Sequence, residues 1–113
     1  MGLREDGPVP PDSSPPDSGE AVMAAVRGIG HPAAAAIIRF LAAHDDVQIG
    51  RIISGAGLVR PTANRHLRDL RELGVIEVDV QIGRAPRYSL NRERVEQITQ
   101  AHLTYMLGGE PQL

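Results

Sequence analysis

From Ile76 to Ile82 the chain alternates: Ile76, Val78, Val80 and Ile82 are apolar, and Glu77, Asp79 and Gln81 between them are polar. A period of two predicts a strand with one buried and one wet face. Gly83-Arg84-Ala85-Pro86 then reads as a turn, and Arg87 to Leu90 as a returning strand with Tyr88 and Leu90 on one face. The segments flanking this hairpin follow a helical period instead. Val22, Val26 and Ile29 predict a first helix over Ser18 to Arg27, with Asp17 and Glu20 at capping-box spacing. His31-Pro32 opens a second helix, Pro32 to Ala43, whose Ala33–Leu41 run is apolar on nearly every face except Arg39. Such a helix belongs in a core or an interface between copies. Asp45-Asp46 makes a turn, and a short third helix follows over Ile49 to Ser54, with Ile49, Ile52 and Ile53 facing inward. Gly28, Gly30, Gly55 and Gly57 are expected at helix ends, where glycine's backbone freedom serves.

The fourth helix carries the chemistry. It lies in the stretch Val59 to Gly74, about residues 60–73, with Pro61 in its first turn and Gly74 as its stop. Ala63, Leu67 and Leu70 form the apolar stripe, with Leu73 at its margin. The opposite face holds Arg65, Arg68, Asp69 and Glu72. Arg65–Asp69 and Arg68–Glu72 have the spacing of self-neutralising pairs, whereas Arg60 has no acid in its turn. Thr62 and Asn64 add short hydrogen-bonding groups. The early turns therefore offer donors, as a helix entering a DNA major groove by its N-terminus requires. Two helices joined by Gly55–Leu58 form a helix-turn-helix, and the hairpin behind them is a wing with Arg84 at its tip and Arg87 beside it. Asn91 can cap a last helix, Arg92 to Leu107, with Val95, Ile98, His102 and Tyr105 along one side and Leu103, Met106 and Leu107 widening its apolar surface. The predicted fold is mainly α with a small β-hairpin (α+β): about five helices and a two-stranded wing.

Composition bounds the rest. A chain of 113 residues is one domain. Apolar residues make up 42%, with one Phe, two Tyr and no Trp, so the core is aliphatic. Residues 1–16 hold five prolines among Asp and Ser and read as a disordered leader; residues 17–108 form the domain, and 109–113 a frayed end. No apolar run is long enough for a membrane span, and the start of the chain lacks a secretory signal. No cysteine is present, which removes disulfides and thiolate metal sites and makes the cytoplasm the expected location. The net charge of −2 is unevenly spread. Residues 1–20 carry Arg4 against five acids; the remaining 11 arginines face 9 acids, a net +2. Every basic residue is Arg, the better fork for phosphate and guanine, although G+C-rich coding produces the same bias.

The order helix, helix, helix-turn-helix, hairpin, helix resembles the ArsR-like winged-helix transcription regulators over residues 31 to 107. His31-Pro32 stands where that family has Asp-Pro. Thr62, Arg65, His66, Leu67, Leu70, Arg71, Glu72 and Gly74 look like its recognition helix, and Gly83, Arg84, Tyr88, Ser89 and Leu90 like its wing. The resemblance implies a homodimer held by the first and last helices, binding an inverted repeat in double-stranded DNA, as a repressor. It carries base or phosphate contact to Arg60, Thr62, Asn64 and Arg65, and the wing role to Arg84 and Arg87. Arg68 joins this DNA-binding set. The family often has Ser at the positions of Val59, Pro61 and Asn64, so base preference does not transfer. Metal sensing does not transfer either. There is no thiolate, and His102 has only Glu96, six residues away and off its face. His66 is expected to pack or to touch a phosphate, and His31 and His44 to sit at helix ends. No cofactor is implied, and a small-molecule effector is left open.

An enzyme is disfavoured, because no nucleophile has a base at a recognised spacing and no phosphate-binding glycine loop occurs. The alternative is a winged-helix protein-interaction module that does not read DNA. The net negative charge, Glu77 and Asp79 on the wet face of the wing, and the paired charges late in the fourth helix favour it.

Overall fold

The computed structural model describes residues 18–113. The proposed leader and the Asp17 cap lie outside the described residues. The element order is α1 (Ser18–Gly30), α2 (Pro32–Ala43), α3 (Ile49–Ala56), α4 (Arg60–Glu72), β1 (Ile76–Asp79), β2 (Arg87–Leu90) and α5 (Arg92–Met106). This is the five-helix, two-stranded architecture expected.

Helix α2 is the axis of the domain. His31 caps it, its Nδ1 accepting from the Ala33 amide at 3.1 Å, and Pro32 occupies the first turn. Ala33, Ala34, Ile37 and Leu41 are buried, and α1, α3, α4 and β2 all pack on this helix. Its alanine-rich character is thus explained by neighbours on several sides, with Ala35 and Arg39 left outward. The axis of α1 bends from that of α2 by 74° at His31. Ile37, Ile52, Leu70, Ile76, Ile98, Val22 and Val75 are the largest fully buried side chains, so each of the five helices contributes one branched aliphatic. Fully burying one such side chain is worth about 1.5–3 kcal/mol.

Two glycines do not have the predicted role. Helix α1 runs through Gly28 to Gly30, and α3 through Gly55 to Ala56. Neither glycine needs a left-handed backbone. A Cβ on Gly28 would stand 2.6 Å from Leu73 Cδ1, and one on Gly55 would stand 2.1 Å from Phe40 Cε1. Both are contact glycines that let helices approach. Gly57, with φ +70°, is the true stop of α3; the Leu58 amide reaches back to the Ile53 carbonyl at 3.1 Å.

The hairpin is shorter than its alternation implies. β1 pairs antiparallel with β2 from Ile76↔Leu90 to Asp79↔Arg87. Val80 and Ile82 lie beyond the last pair and are exposed, not part of a buried face. The connection therefore runs from Val80 to Pro86 rather than through Gly83–Pro86 alone. A further bridge, absent from the sequence reading, ties Val47 to Tyr88: the Val47 amide donates to the Tyr88 carbonyl at 3.1 Å, and the Tyr88 amide returns to Val47 at 2.7 Å. It fixes the wing to the α2–α3 connection.

Asn91 caps α5, its side chain accepting from the Arg94 amide at 3.1 Å. Arg94 Nε donates to the Leu73 carbonyl at 2.9 Å, and an Arg92 Nη2 bond to the Ala42 carbonyl holds the same end. Along α5, Ile98 and Ala101 are buried and Val95 and His102 half-buried, whereas Tyr105 emerges, so the packed line ends a turn earlier than predicted. Past the helix no regular structure follows, though Pro111 is buried.

Candidate nucleic-acid interface

The α3–α4 pair presents one helix outward. Val59 precedes α4 in extended conformation, without a side-chain cap, and Pro61 sits in the first turn. Ala63, His66, Leu67 and Leu70 are buried beneath it. Arg60, Asn64, Arg65 and Arg68 are exposed, and Thr62 is half-exposed. Arg60, Asn64 and Arg68 are spaced by four, so they form one line along the helix, with Arg65 beside it. The first turn contains no acid, and its unpaired amides add the positive end of the helix dipole.

The charge pairing differs from expectation. Among the described residues, Asp69 meets Arg68 at 3.9 Å, a long contact between exposed groups, and neither Arg65–Asp69 nor Arg68–Glu72 closes. An exposed pair at that distance contributes little. Arg65 instead directs Nη2 to the neighbouring His66 Nε2 at 3.3 Å. The outward guanidinium groups of α4 are consequently less neutralised than spacing suggests.

His66 is the site residue that pattern reading undervalued. It is the buried polar side chain of the core, and its ring lies 4.4 Å from that of His31. Burial pushes its pKa below the usual histidine value; the nearby His31 and Arg65 push the same way, and Asp69 opposes them. Of the expected alternatives, it packs. Its place, three residues after Ala63 and four before Leu70, was the available signal. His31 and His44 occupy helix ends as expected; His44 stacks on Phe40 with ring centroids 4.3 Å apart.

The two wing arginines have different surroundings. Arg84 is exposed beyond Gly83, and its Nη1 donates to Gln81 Oε1 at 2.8 Å. Gln81 in turn reaches Asp79 at 3.4 Å, so the loop is laced by its own side chains. Arg87 is engaged elsewhere. Its Nη2 donates to the Asp46 carbonyl at 2.7 Å, and its Nε stands 3.2 Å from the Asp46 carboxylate, in ion-pair range but off the hydrogen-bonding direction. Asp46 has φ +56°, a left-handed conformation that a short polar side chain tolerates. Arg87 thus anchors the wing to the α2–α3 turn. No group of three or more His, Asp or Glu side chains converges among the described residues.

Residues 34–80 match the family model of the IclR helix-turn-helix domain. This stretch runs from α2 through β1 and contains the whole helix-turn-helix. A comparison with curated proteins gives no match. Solved structures share the fold. The transcriptional repressor BigR from Xylella fastidiosa superposes with a TM-score of 0.59 at 20% identity, over 75% of this chain and 86% of that one. A MarR-family transcriptional regulator from Silicibacter pomeroyi gives 0.55 at 21%, over 81% and 68%. A predicted DNA-binding transcriptional regulator from E. coli gives 0.59 at 22%, over 78% and 93%. The chain therefore has the winged helix-turn-helix fold of transcription regulators. The matched model is of the IclR type, and none of these findings singles out the ArsR-like subgroup.

Proposed function

We propose that this chain is a DNA-binding transcriptional regulator that acts as a homodimeric, cytoplasmic repressor on an inverted repeat. The observation that carries the reading is the outer face of α4: Arg60, Asn64, Arg65 and Arg68 stand exposed on a helix whose first turn is free of acid. Arg60, Thr62, Asn64 and Arg65 read base edges in the major groove, and Arg68 takes phosphate. Arg84 extends the contact to backbone or minor groove, while Arg87 holds the wing in place through Asp46. Leu103, Tyr105 and Met106 are exposed on α5 beside α1, with Leu107 just past the helix, and this apolar end supplies the dimer contact. BigR, described as a repressor, supports the direction of regulation. Selection from random duplexes tests the reading. A recovered motif with two related half-sites supports it, and recovery of no motif removes it.

A protein-interaction module is the second reading. Val80 and Ile82 are exposed at the wing next to exposed Glu77 and Asp79, a surface better matched to a protein than to phosphate. Binding of random duplex that does not change with salt would favour it. An open groove of about 750 Å³ between the start of α1 and the C-terminal segment is lined by Met23, Arg27, Tyr105 and Glu110. No effector is assigned to it.

A further inference from the structure

The buried ring of His66 lies directly under the outward face of α4, and its one side-chain hydrogen bond goes to Arg65. Arginine is only a donor, so His66 Nε2 must be bare to accept from it at 3.3 Å. The proton of the neutral ring then sits on Nδ1. On the far side His31 presents its own ring at 4.4 Å, and its Nδ1 is also an acceptor, for the Ala33 amide. His66 therefore makes its contact with Arg65 uncharged. A proton on His66 Nε2 would abolish the Arg65 bond and place two cations side by side. The groups acting on His66 are His31 from the start of α2 and Arg65 and Asp69 on α4; no ionisable side chain of α1, α3 or β1 is among them.

We infer that His66 is a positioning residue for Arg65: its neutral ring sets the direction of that guanidinium on the reading face, and proton uptake releases it, so that sequence discrimination weakens in acid. The consequence for DNA rests on the function proposed above; the contact itself does not. The preference of a well-aimed bidentate arginine for its base amounts to about 5- to 150-fold, and this is the quantity at stake.

Two measurements test it. Nitrogen-detected imidazole NMR on the free protein should show neutral His66 protonated at Nδ1, the reverse of the usual preference of free imidazole. A ring protonated at Nε2 at pH 7.5 would overturn the inference whether or not the chain binds DNA. The second compares a selected duplex with one altered at the base read by Arg65, between pH 7.5 and pH 5.5. Wild type should lose preference progressively as the pH falls below the ordinary histidine value. His66→Gln keeps an acceptor without titrating and should hold the preference at both values. His66→Leu fills the space without an acceptor and should match Arg65→Ala at both. His31→Ser, which retains a capping oxygen, removes the neighbouring ring and should move the midpoint upward. Full, pH-independent discrimination by His66→Leu would overturn the proposal. If that variant does not fold, the tautomer and the pH profile of His66→Gln still decide.

Discussion

Gly50 and Gly55 lie in the same short helix, α3, and alanine is expected to act with opposite sign at the two. Both have helical backbone, so either substitution gains about 1 kcal/mol of helix propensity. A Cβ at Gly50 meets nothing within 4 Å. A Cβ at Gly55 would stand 2.1 Å from Cε1 and 2.3 Å from Cδ1 of Phe40. That ring is stacked on His44 with centroids 4.3 Å apart, so it cannot withdraw without giving up the stack. Overpacking costs about 1–3 kcal/mol, and contact with a ring rather than a chain end belongs to the upper part of that range. After the propensity gain, Gly55→Ala should lose about 1–2 kcal/mol, while Gly50→Ala should gain about 0.5–1 kcal/mol. Urea unfolding measures both, as a shift of midpoint at unchanged slope. In thermal melts each kcal/mol corresponds to roughly 4–8 °C for a domain of this size. Gly55→Ala as stable as Gly50→Ala would refute the close approach of α3 to α2.

Further outcomes follow from the same contacts. Asn91→Ala should cost about 1 kcal/mol by leaving the first turn of α5 uncapped, measured by urea unfolding. His66 has a folded pKa below its unfolded value of about 6.5, so the unfolded chain binds the proton more readily. Its contribution to stability is therefore complete above that pH and is lost as pH falls from it towards the folded value. Wild type should lose more stability than His66→Gln between pH 7 and pH 5, and equal losses would contradict the sign. Arg65→Ala should cost about 1–3 kcal/mol on a selected duplex and relax preference at one position, whereas Arg84→Ala should weaken all duplexes alike and reduce the salt slope by about 1 per contact. Electrophoretic or fluorescence titration against selected and random duplexes distinguishes them.

Local signals were enough for most of the fold. Pro32 after His31, Asn91 before Arg92 and the return strand Arg87–Leu90 have the boundaries that turn and cap chemistry imply. What escaped depends on partners distant in the chain. Alternation carries on to Ile82, but a strand ends where its partner does, and β2 offers no residue beyond Arg87 for Val80 to face. Gly28 and Gly55 look like helix stops until Leu73 and Phe40 are brought against them. The Val47–Tyr88 bridge joins residues with no local pattern in common. The α4 face was legible in outline, because the apolar stripe at Ala63, Leu67 and Leu70 fixes which side chains point away. The use of each arginine was not. Side-chain choice between neighbours sent Arg65 to His66 and Arg87 to Asp46, and no spacing rule anticipates either.

Contact of Arg68 and the wing arginine Arg84 with a phosphate backbone makes duplex binding depend on salt. Arg68 and Arg84 on each of two protomers would neutralise roughly four phosphates, giving a slope of log K against log salt of about −3.6. A slope near that value on random duplex, steeper than that of an Arg68→Ala, Arg84→Ala double variant, is the expected result. A slope near zero, with the double variant indistinguishable from wild type, would contradict DNA reading by this face.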